Sequence, residues 1–302
     1  MVYNDMTSHA QDKLRGVLRN DESLSRHTSW RVGGRVKRFY QPADIDDLSV
    51  FLATLPENEP VYWLGLGSNL LVRDGGYPGT VICTSGVLNG IDVLDNHCLY
   101  VEAGVACPKA ARLSAKNAMS GAEFLCGIPG TMGGALAMNA GAFGGETWDI
   151  VQSVETIDRF GERYTHTPDE YEIGYRHVTG PDGQWFVSCV LKLEAGDAAL
   201  SQKKIKALLR KRGASQPTQQ PNAGSVFRNP PNDYAARLIE SCGLKGMCLG
   251  GACVSEKHAN FIVNTGMACA ADIEQLIQMV QHRVLDETGV ELQTEVRIIG
   301  DE

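Results

Sequence analysis

The amino-acid sequence predicts an α+β fold in more than one unit, and three observations carry that prediction. Helix-period and strand-period apolar patterns alternate in mixed order along the chain. Two glycine-rich loops interrupt the first half, and a proline-marked break near residues 215–221 sets off a compact C-terminal stretch. The 302 residues suffice for two domains or three small ones. With 43% hydrophobic and 21% charged residues, the chain has the make-up of a protein that buries a core.

Residues 1–20 hold a short helical pattern (Leu14, Val17, Leu18) and read as peripheral. Asp44 to Leu55 reads as a helix with Ile45, Leu48, Phe51 and Leu52 in one stripe. Val61–Leu64 is a short continuous apolar run, as in a strand buried on both faces. After the loop Gly65-Leu66-Gly67-Ser68-Asn69, the run Leu70-Leu71-Val72 follows, then strands at Thr80–Cys83 and Cys98–Ala103. Pro108 opens a helix to Ala118. Strands resume at Ile150–Asp158 and Trp185–Glu194. A basic helix spans 201–212, its charge either a solvated face or a phosphate-steering one. Asp272 to Thr288 is an amphipathic helix closed by Gly289, and an alternating strand runs from Val290 to Ile299.

The net charge of −8 argues against a nucleic-acid partner, because phosphate neutralisation needs a basic face. An anionic small molecule is still admissible through local Arg and main-chain N–H groups. The nine cysteines show no CxxC pair and no zinc spacing, so they read as reduced, buried small side chains and no metal is expected. Cys242, Cys248 and Cys253 form the sole grouping worth weighing as metal ligands. The N-terminus has no apolar leader core and no run approaches ~18 apolar residues, so the expectation is a cytoplasmic chain with no membrane partner.

In Gly65-Leu66-Gly67-Ser68-Asn69 two glycines let successive N–H groups face a diphosphate, and Ser and Asn add donors. It is not the Rossmann pattern, since no third glycine opens a helix. A tight turn between strands is the equal alternative. The stretch Gly121–Gly145 is so rich in Gly and Ala that its backbone must approach something closely, either a ligand or other backbone. Within it, Gly127-Ile128-Pro129-Gly130-Thr131-Met132-Gly133-Gly134 is a second loop able to close over the same cofactor. Arg176 follows an acidic, helix-like stretch, and a structural ion pair is its plainer reading. Ser225 has no His base beside it, so it suits a positioned proton donor better than a nucleophile. Glu295 falls on the polar side of the last strand, where polar-out is the plainer reading. His258 and Asn260 are either polar contacts or turn residues.

Taken in order, these segments resemble the UDP-N-acetylenolpyruvoylglucosamine reductase family. The resemblance is carried by Thr28-Ser29-Trp30-Arg31-Val32-Gly33-Gly34, Gly65-Leu66-Gly67-Ser68-Asn69-Leu70, Gly127-Ile128-Pro129-Gly130-Thr131 and Met138-Asn139-Ala140-Gly141-Ala142. It continues through Tyr175-Arg176, Ala223–Pro230, Gly250-Gly251-Ala252, Lys257–Asn264 and Glu295-Val296-Arg297, covering residue 24 to the C-terminus. Between Arg176 and Ser225 no tyrosine-bearing loop is inserted, so the chain resembles the family's shorter type.

The resemblance implies a two-subdomain FAD fold of the vanillyl-alcohol-oxidase (PCMH-like) kind followed by an α+β substrate domain. The implied bounds are an extension at 1–23, subdomains at 24–90 and 91–197, and the substrate domain at 198–302. It implies FAD as cofactor, NADPH as co-substrate and UDP-N-acetylglucosamine enolpyruvate as substrate, in a monomer serving cell-wall precursor synthesis. The implied catalytic residues are Arg176, Ser225 and Glu295. The implied cofactor contacts are Gly65, Leu66, Gly67, Ser68, Asn69, Leu70, Gly127, Ile128, Pro129, Thr131, Gly133, Gly134, Asn139 and Gly141. The implied substrate contacts are Tyr175, Asn229, Lys257, His258 and Asn260. Two other functions stay open: an FAD oxidase of alcohols or sugars, and a non-catalytic flavin-binding module.

Overall fold

The computed structural model describes residues 14–302. Contacts cluster into two compact units that do not follow chain order. The first joins Arg38–Gly65 and Gly79–Leu209 to the described part of Met1–Asn20; the second joins Asp21–Lys37, Leu66–Pro78 and Arg210–Glu302.

The first unit is built on two sheets. One has four strands in the order Val17–Ser23, Arg35–Gln41, Tyr77–Cys83, Val61–Leu64, of which residues 17–20, 38–41, 79–83 and 61–64 belong to this unit; the last two are parallel, with Val61 opposite Thr80 and Leu64 opposite Cys83. The helix Ile45–Thr54 starts where the Asp44 carboxylate accepts the Asp47 N–H at 2.8 Å, a standard N-cap. Its expected stripe is buried against Tyr40, Leu88 and Val187. The other sheet is antiparallel, in the order Arg163–His166, Val151–Asp158, Gln184–Lys192, Cys98–Glu102, Ile91–Val93. The helix Cys107–Lys116 lays Cys107, Ala110, Ala111 and Ala115 into the same core.

The second unit packs the helices Ala235–Ser241 and Ala270–Thr288 and the small sheet Cys248–Leu249, Ala252–Val254, Ile262–Asn264 around one core. Trp30, fully buried, donates from Nε1 to the Ile262 carbonyl at 2.8 Å. Leu70–Val72 pairs in parallel with Arg297–Ile299. Gly289, at φ +73°, ends the long helix, its N–H bonding to the Leu285 carbonyl at 2.8 Å. Strands and helices in mixed order make the fold α+β, as expected.

Four expectations need correction. Val17 and Leu18 lie in a strand, not a helix; three apolar residues are too few to fix a period, and pairing within the sheet decided it. The rest of that N-terminal reading, residues 1–13, lies outside the described residues. Val61–Leu64 is the end strand of its sheet, so Val61, Tyr62 and Trp63 are half-buried and only Leu64 is fully covered. The last strand is regular only over Arg297–Ile299; the alternation still sorts burial, with Leu292 and Val296 inside and Glu291, Gln293 and Arg297 outside. Not all cysteines are reduced small side chains: Cys248 and Cys253 form a disulfide, because the 248–254 hairpin sets them directly opposite. Six others are buried free thiols, and burial pushes those of Cys83, Cys107 and Cys189 up, away from reactivity; Cys269 is free and exposed.

Candidate functional site

In the first unit the two glycine loops meet. A Cβ on Gly65 would lie 2.4 Å from Thr131 Oγ1, so only glycine lets the strand end Val61–Leu64 run on past Thr131. Thr131 is buried, and among the described residues its hydroxyl has no hydrogen-bond partner. It directly precedes the short helix Met132–Ala137, which sits close because Gly133 has no side chain: a Cβ there would be 2.9 Å from the Ala103 Cβ. A Cβ on Gly127 would likewise lie 2.4 Å from the Phe143 ring. Gly134 is different, with only Thr131 Oγ1 nearby at 3.8 Å, and it opens onto a cavity.

That cavity, about 360 Å³, is lined by Trp63, Gly65, Gly133, Gly134, Tyr171 and Phe186 among others, all in the first unit. Trp63 Nε1 and the Tyr171 hydroxyl are buried and without hydrogen-bond partners among the described residues. Such groups cost about 1–3 kcal/mol each unless a ligand satisfies them. Burial, then Glu170, pushes the Tyr171 phenol up to about 12, so it is a donor at neutral pH. Sequence reasoning missed both. Trp63 had a usable signal, an indole two residues before a glycine loop. Tyr171 had none, since its burial comes from packing on Trp148 (centroids 4.8 Å) and Phe186 (5.7 Å).

Arg176 sits in the two-residue turn of the hairpin Glu172–Gly174/His177–Thr179, with Gly174 paired to His177. Its φ is +54°, a left-handed conformation that costs a non-glycine residue about 1–2 kcal/mol. The guanidinium donates from Nη1 to the Asn139 carbonyl at 3.3 Å and from Nη2 to the Gly141 carbonyl at 3.2 Å, and lies 5.2 Å from the Tyr175 ring centre. At Gly141 a Cβ would clash with the Gly145 carbonyl oxygen at 2.8 Å, whereas Arg176 Nη1 would stand at an ordinary 3.4 Å, so the glycine serves the 141–146 turn rather than the arginine. The Asn139 side chain is buried and committed, donating to Glu146 Oε2 at 2.7 Å and the Gly174 carbonyl at 3.2 Å and accepting the Trp148 N–H at 3.1 Å. On the basic helix, now Ala198–Ser215, Lys204 pairs with the buried Glu123 at 3.2 Å.

The second unit holds the other expected residues. Gly67 presses on backbone, a Cβ there lying 2.1 Å from the His27 carbonyl oxygen, and its own carbonyl takes the Ser29 N–H at 3.1 Å. Asn69 donates from Nδ2 to the Glu295 carbonyl at 3.1 Å and accepts the Arg297 N–H at 3.0 Å on its main chain. Glu295 in turn donates its N–H to the Val226 carbonyl at 2.8 Å, which brings Ser225 and Glu295 onto neighbouring extended segments. Ser225 follows Gly224 (φ +76°), whose N–H bonds to Asn222 Oδ1 at 2.9 Å.

Asn260 is not a free polar contact: its carboxamide pairs with both main-chain groups of Phe227, at 2.9 and 2.8 Å. Asn229 Oδ1 accepts the Ala235 N–H at 3.2 Å, and Lys257 bonds to the Gly213 carbonyl. His258 stacks edge-on against Phe261 at 4.7 Å with a buried, unpartnered Nδ1. Burial, then Lys245, holds its imidazole below the usual histidine value.

A cavity lined by glycines and aromatic rings suits a large flat cofactor, and residues 36–166 match the family model described as an FAD binding domain. The chain therefore carries an FAD-binding domain. Residues 216–299 match the model of the UDP-N-acetylenolpyruvoylglucosamine reductase C-terminal domain.

The chain is 59% identical over 301 residues to the UDP-N-acetylenolpyruvoylglucosamine reductase of Methylococcus capsulatus, covering 100% of this chain and 99% of that one. With that of Nitrosococcus oceani it shares 56% over 288 residues, 95% and 97% covered. The crystal structure of the reductase from Thermus caldophilus superposes with a TM-score of 0.81 at 33% identity, covering 94% and 99% of the two chains. The chain belongs to the UDP-N-acetylenolpyruvoylglucosamine reductase family. Among the described residues no helix is long and apolar enough to cross a membrane.

Proposed function

We propose that this enzyme uses FAD and NADPH to reduce the enolpyruvyl group of UDP-N-acetylglucosamine enolpyruvate, giving UDP-N-acetylmuramate for peptidoglycan. The observation that carries the reading is Arg176, a guanidinium pinned by two main-chain carbonyls in a strained turn. Strain of that kind is retained where a side chain must point at a reacting group. The cofactor fit rests on the cavity beside Gly133 and Gly134 and on its unpartnered donors, Trp63 Nε1 and the Tyr171 hydroxyl. Gly65–Leu70, Gly127–Thr131, Gly133, Gly134 and Gly141 are the proposed contacts of FAD; Asn139, whose side chain is spent on Glu146, Gly174 and Trp148, is not among them. When bound, FAD supplies the hydride.

Hydride addition at the terminal vinyl carbon leaves negative charge on the neighbouring carbon and its carboxylate. Arg176 holds that charge with fixed N–H donors. Ser225 gives its hydroxyl proton to the same carbon; among the described residues that hydroxyl is engaged by no other group. A hydroxyl is a weak acid, and it suffices only next to so strong a base. Glu295, as the protonated acid or through a hydrogen-bond network, holds the carboxyl end of the substrate, and Tyr175, Asn229, Lys257, His258 and Asn260 shape the surroundings of the sugar nucleotide. The domain bounds of the sequence reading and the monomeric, cytoplasmic state belong to the same proposal.

Rapid mixing that follows the flavin band tests it. In Ser225→Ala, bleaching by NADPH stays near normal while recovery with the UDP-sugar slows by about 10²–10⁴-fold. Equal loss in both halves refutes the role of Ser225. An alcohol-driven uptake of oxygen would favour an oxidase instead.

A further inference from the structure

We infer that Asn139 is a positioning residue for Arg176, acting through the 172–179 hairpin rather than through the flavin. The inference rests on the proposed role of Arg176 and deepens it. Asn139 touches the hairpin at both ends of its turn. Its Nδ2 donates to the carbonyl of Gly174, the residue that enters the turn, and its own carbonyl accepts Arg176 Nη1, the group that leaves it. Its remaining bonds fix it in turn: Nδ2 to Glu146 Oε2 at 2.7 Å and Oδ1 from the Trp148 N–H at 3.1 Å. The side chain is 1% exposed, so both amide hydrogens and the oxygen are used within the protein.

Two left-handed residues face each other here, Asn139 at φ +43° and Arg176 at φ +54°. Asn tolerates that conformation well, whereas Arg does not. The Asn139 contacts therefore hold the less comfortable partner in place. They also aim it: with Nη1 on Asn139 and Nη2 on Gly141, one edge of the guanidinium is occupied by main chain. Two contacts from one edge fix the plane of the guanidinium relative to the turn.

The test uses the full-length, flavin-loaded enzyme and the variants Asn139→Asp and Arg176→Ala. Asn139→Asp keeps the acceptor for Trp148 and loses both donors. The expected result is retained flavin, normal bleaching by NADPH, and recovery with the UDP-sugar slowed about 10- to 100-fold. The double variant should be no slower than Arg176→Ala alone, and amide exchange across residues 172–179 should quicken.

Flavin lost from Asn139→Asp with recovery rates intact after reloading would overturn the inference, as would fully additive effects in the double variant. If Arg176→Ala itself recovers normally, the proposed role of Arg176 falls; if it is slow and Asn139→Asp is not, only the positioning role falls. Should the Asp variant fail to fold against Glu146, Asn139→Gly is read in its place. It accepts the same φ, removes both donors and sets no second carboxylate there.

Discussion

Replacing Gly65 with Ala sets a methyl group where Thr131 Oγ1 already sits. The new carbon would lie 2.4 Å from that oxygen, roughly 1 Å inside ordinary contact, while Thr131 Cβ and Cγ2 stand at a harmless 3.5 and 3.6 Å. Thr131 is 2% exposed and directly precedes a helix, so the oxygen has nowhere easy to go. Overpacking by one methyl costs about 1–3 kcal/mol. That lowers the melting temperature by about 2–4 °C per kcal/mol.

Thr131→Ala removes the offending oxygen, and because that hydroxyl is buried without a partner, the flavin-free protein loses about 1 kcal/mol or less. The double variant should therefore melt close to Thr131→Ala. Flavin affinity separates packing from ligand contact: if Thr131 meets the cofactor, affinity falls about fivefold or more in both variants that lack its hydroxyl. Thermal melts of flavin-free protein and flavin titration read the two effects apart. Gly65→Ala melting like the parent, or a double variant losing the sum of both single losses, would show that the loops do not touch.

Tyr171→Phe removes a buried hydroxyl that no protein group satisfies. The flavin-free protein should then be as stable or more so, while flavin binds about fivefold more weakly; unchanged affinity in a flavin titration would place the cofactor elsewhere. Burial, then Lys245, lowers the His258 imidazole, with Glu240 opposing. The unfolded chain therefore takes up that proton first. Stability should drop as pH falls through the ordinary value of 6.5 and stay flat above it. Urea midpoints against pH should show a shallower acid slope in His258→Gln, and an unchanged slope refutes the assignment.

Elements whose pattern was long were legible in sequence. Ile45–Thr54 and Ala270–Thr288 carry enough turns for a 3.6-residue period to declare itself, and both carry end signals, Asp44 and Gly289. The short hairpins at 172–179 and 248–254 were not legible. Three residues define no period, and their pairing depends on the rest of the fold. The glycine loops were readable as places of close approach, yet what approaches differs. Gly67 meets the His27 backbone, Gly65 lines the cavity but meets a side-chain oxygen, and Gly134 lines it with nothing closer than 3.8 Å. Composition cannot distinguish a glycine needed for close packing, one needed for a left-handed turn as at Gly67, and one with open space beside it as at Gly134. Likewise Asn260 looked like a ligand contact and is spent on the Phe227 backbone, since a buried Asn serves both purposes with the same atoms.

The net charge of −8 sits oddly with a substrate, a cofactor and a co-substrate that, on the proposed reading, all carry phosphates. The field beyond about 8 Å is screened at physiological salt, so the decisive groups are local. The donors among the residues lining the cavity are neutral, the Trp63 indole, the Tyr171 phenol and main chain freed by glycine, and the one charged side chain of the lining is the acidic Asp182. Neutral donors recognise phosphate or purine without the cost of burying a charge. The positive charge of Arg176 is stationed instead on a strained turn, held by carbonyls. This division separates affinity from rate. Loss of a neutral donor should weaken flavin binding and leave the half-reactions of the loaded enzyme alone. Loss of Arg176, or of the contacts that hold it, should spare flavin binding and slow only the step in which charge appears on the substrate.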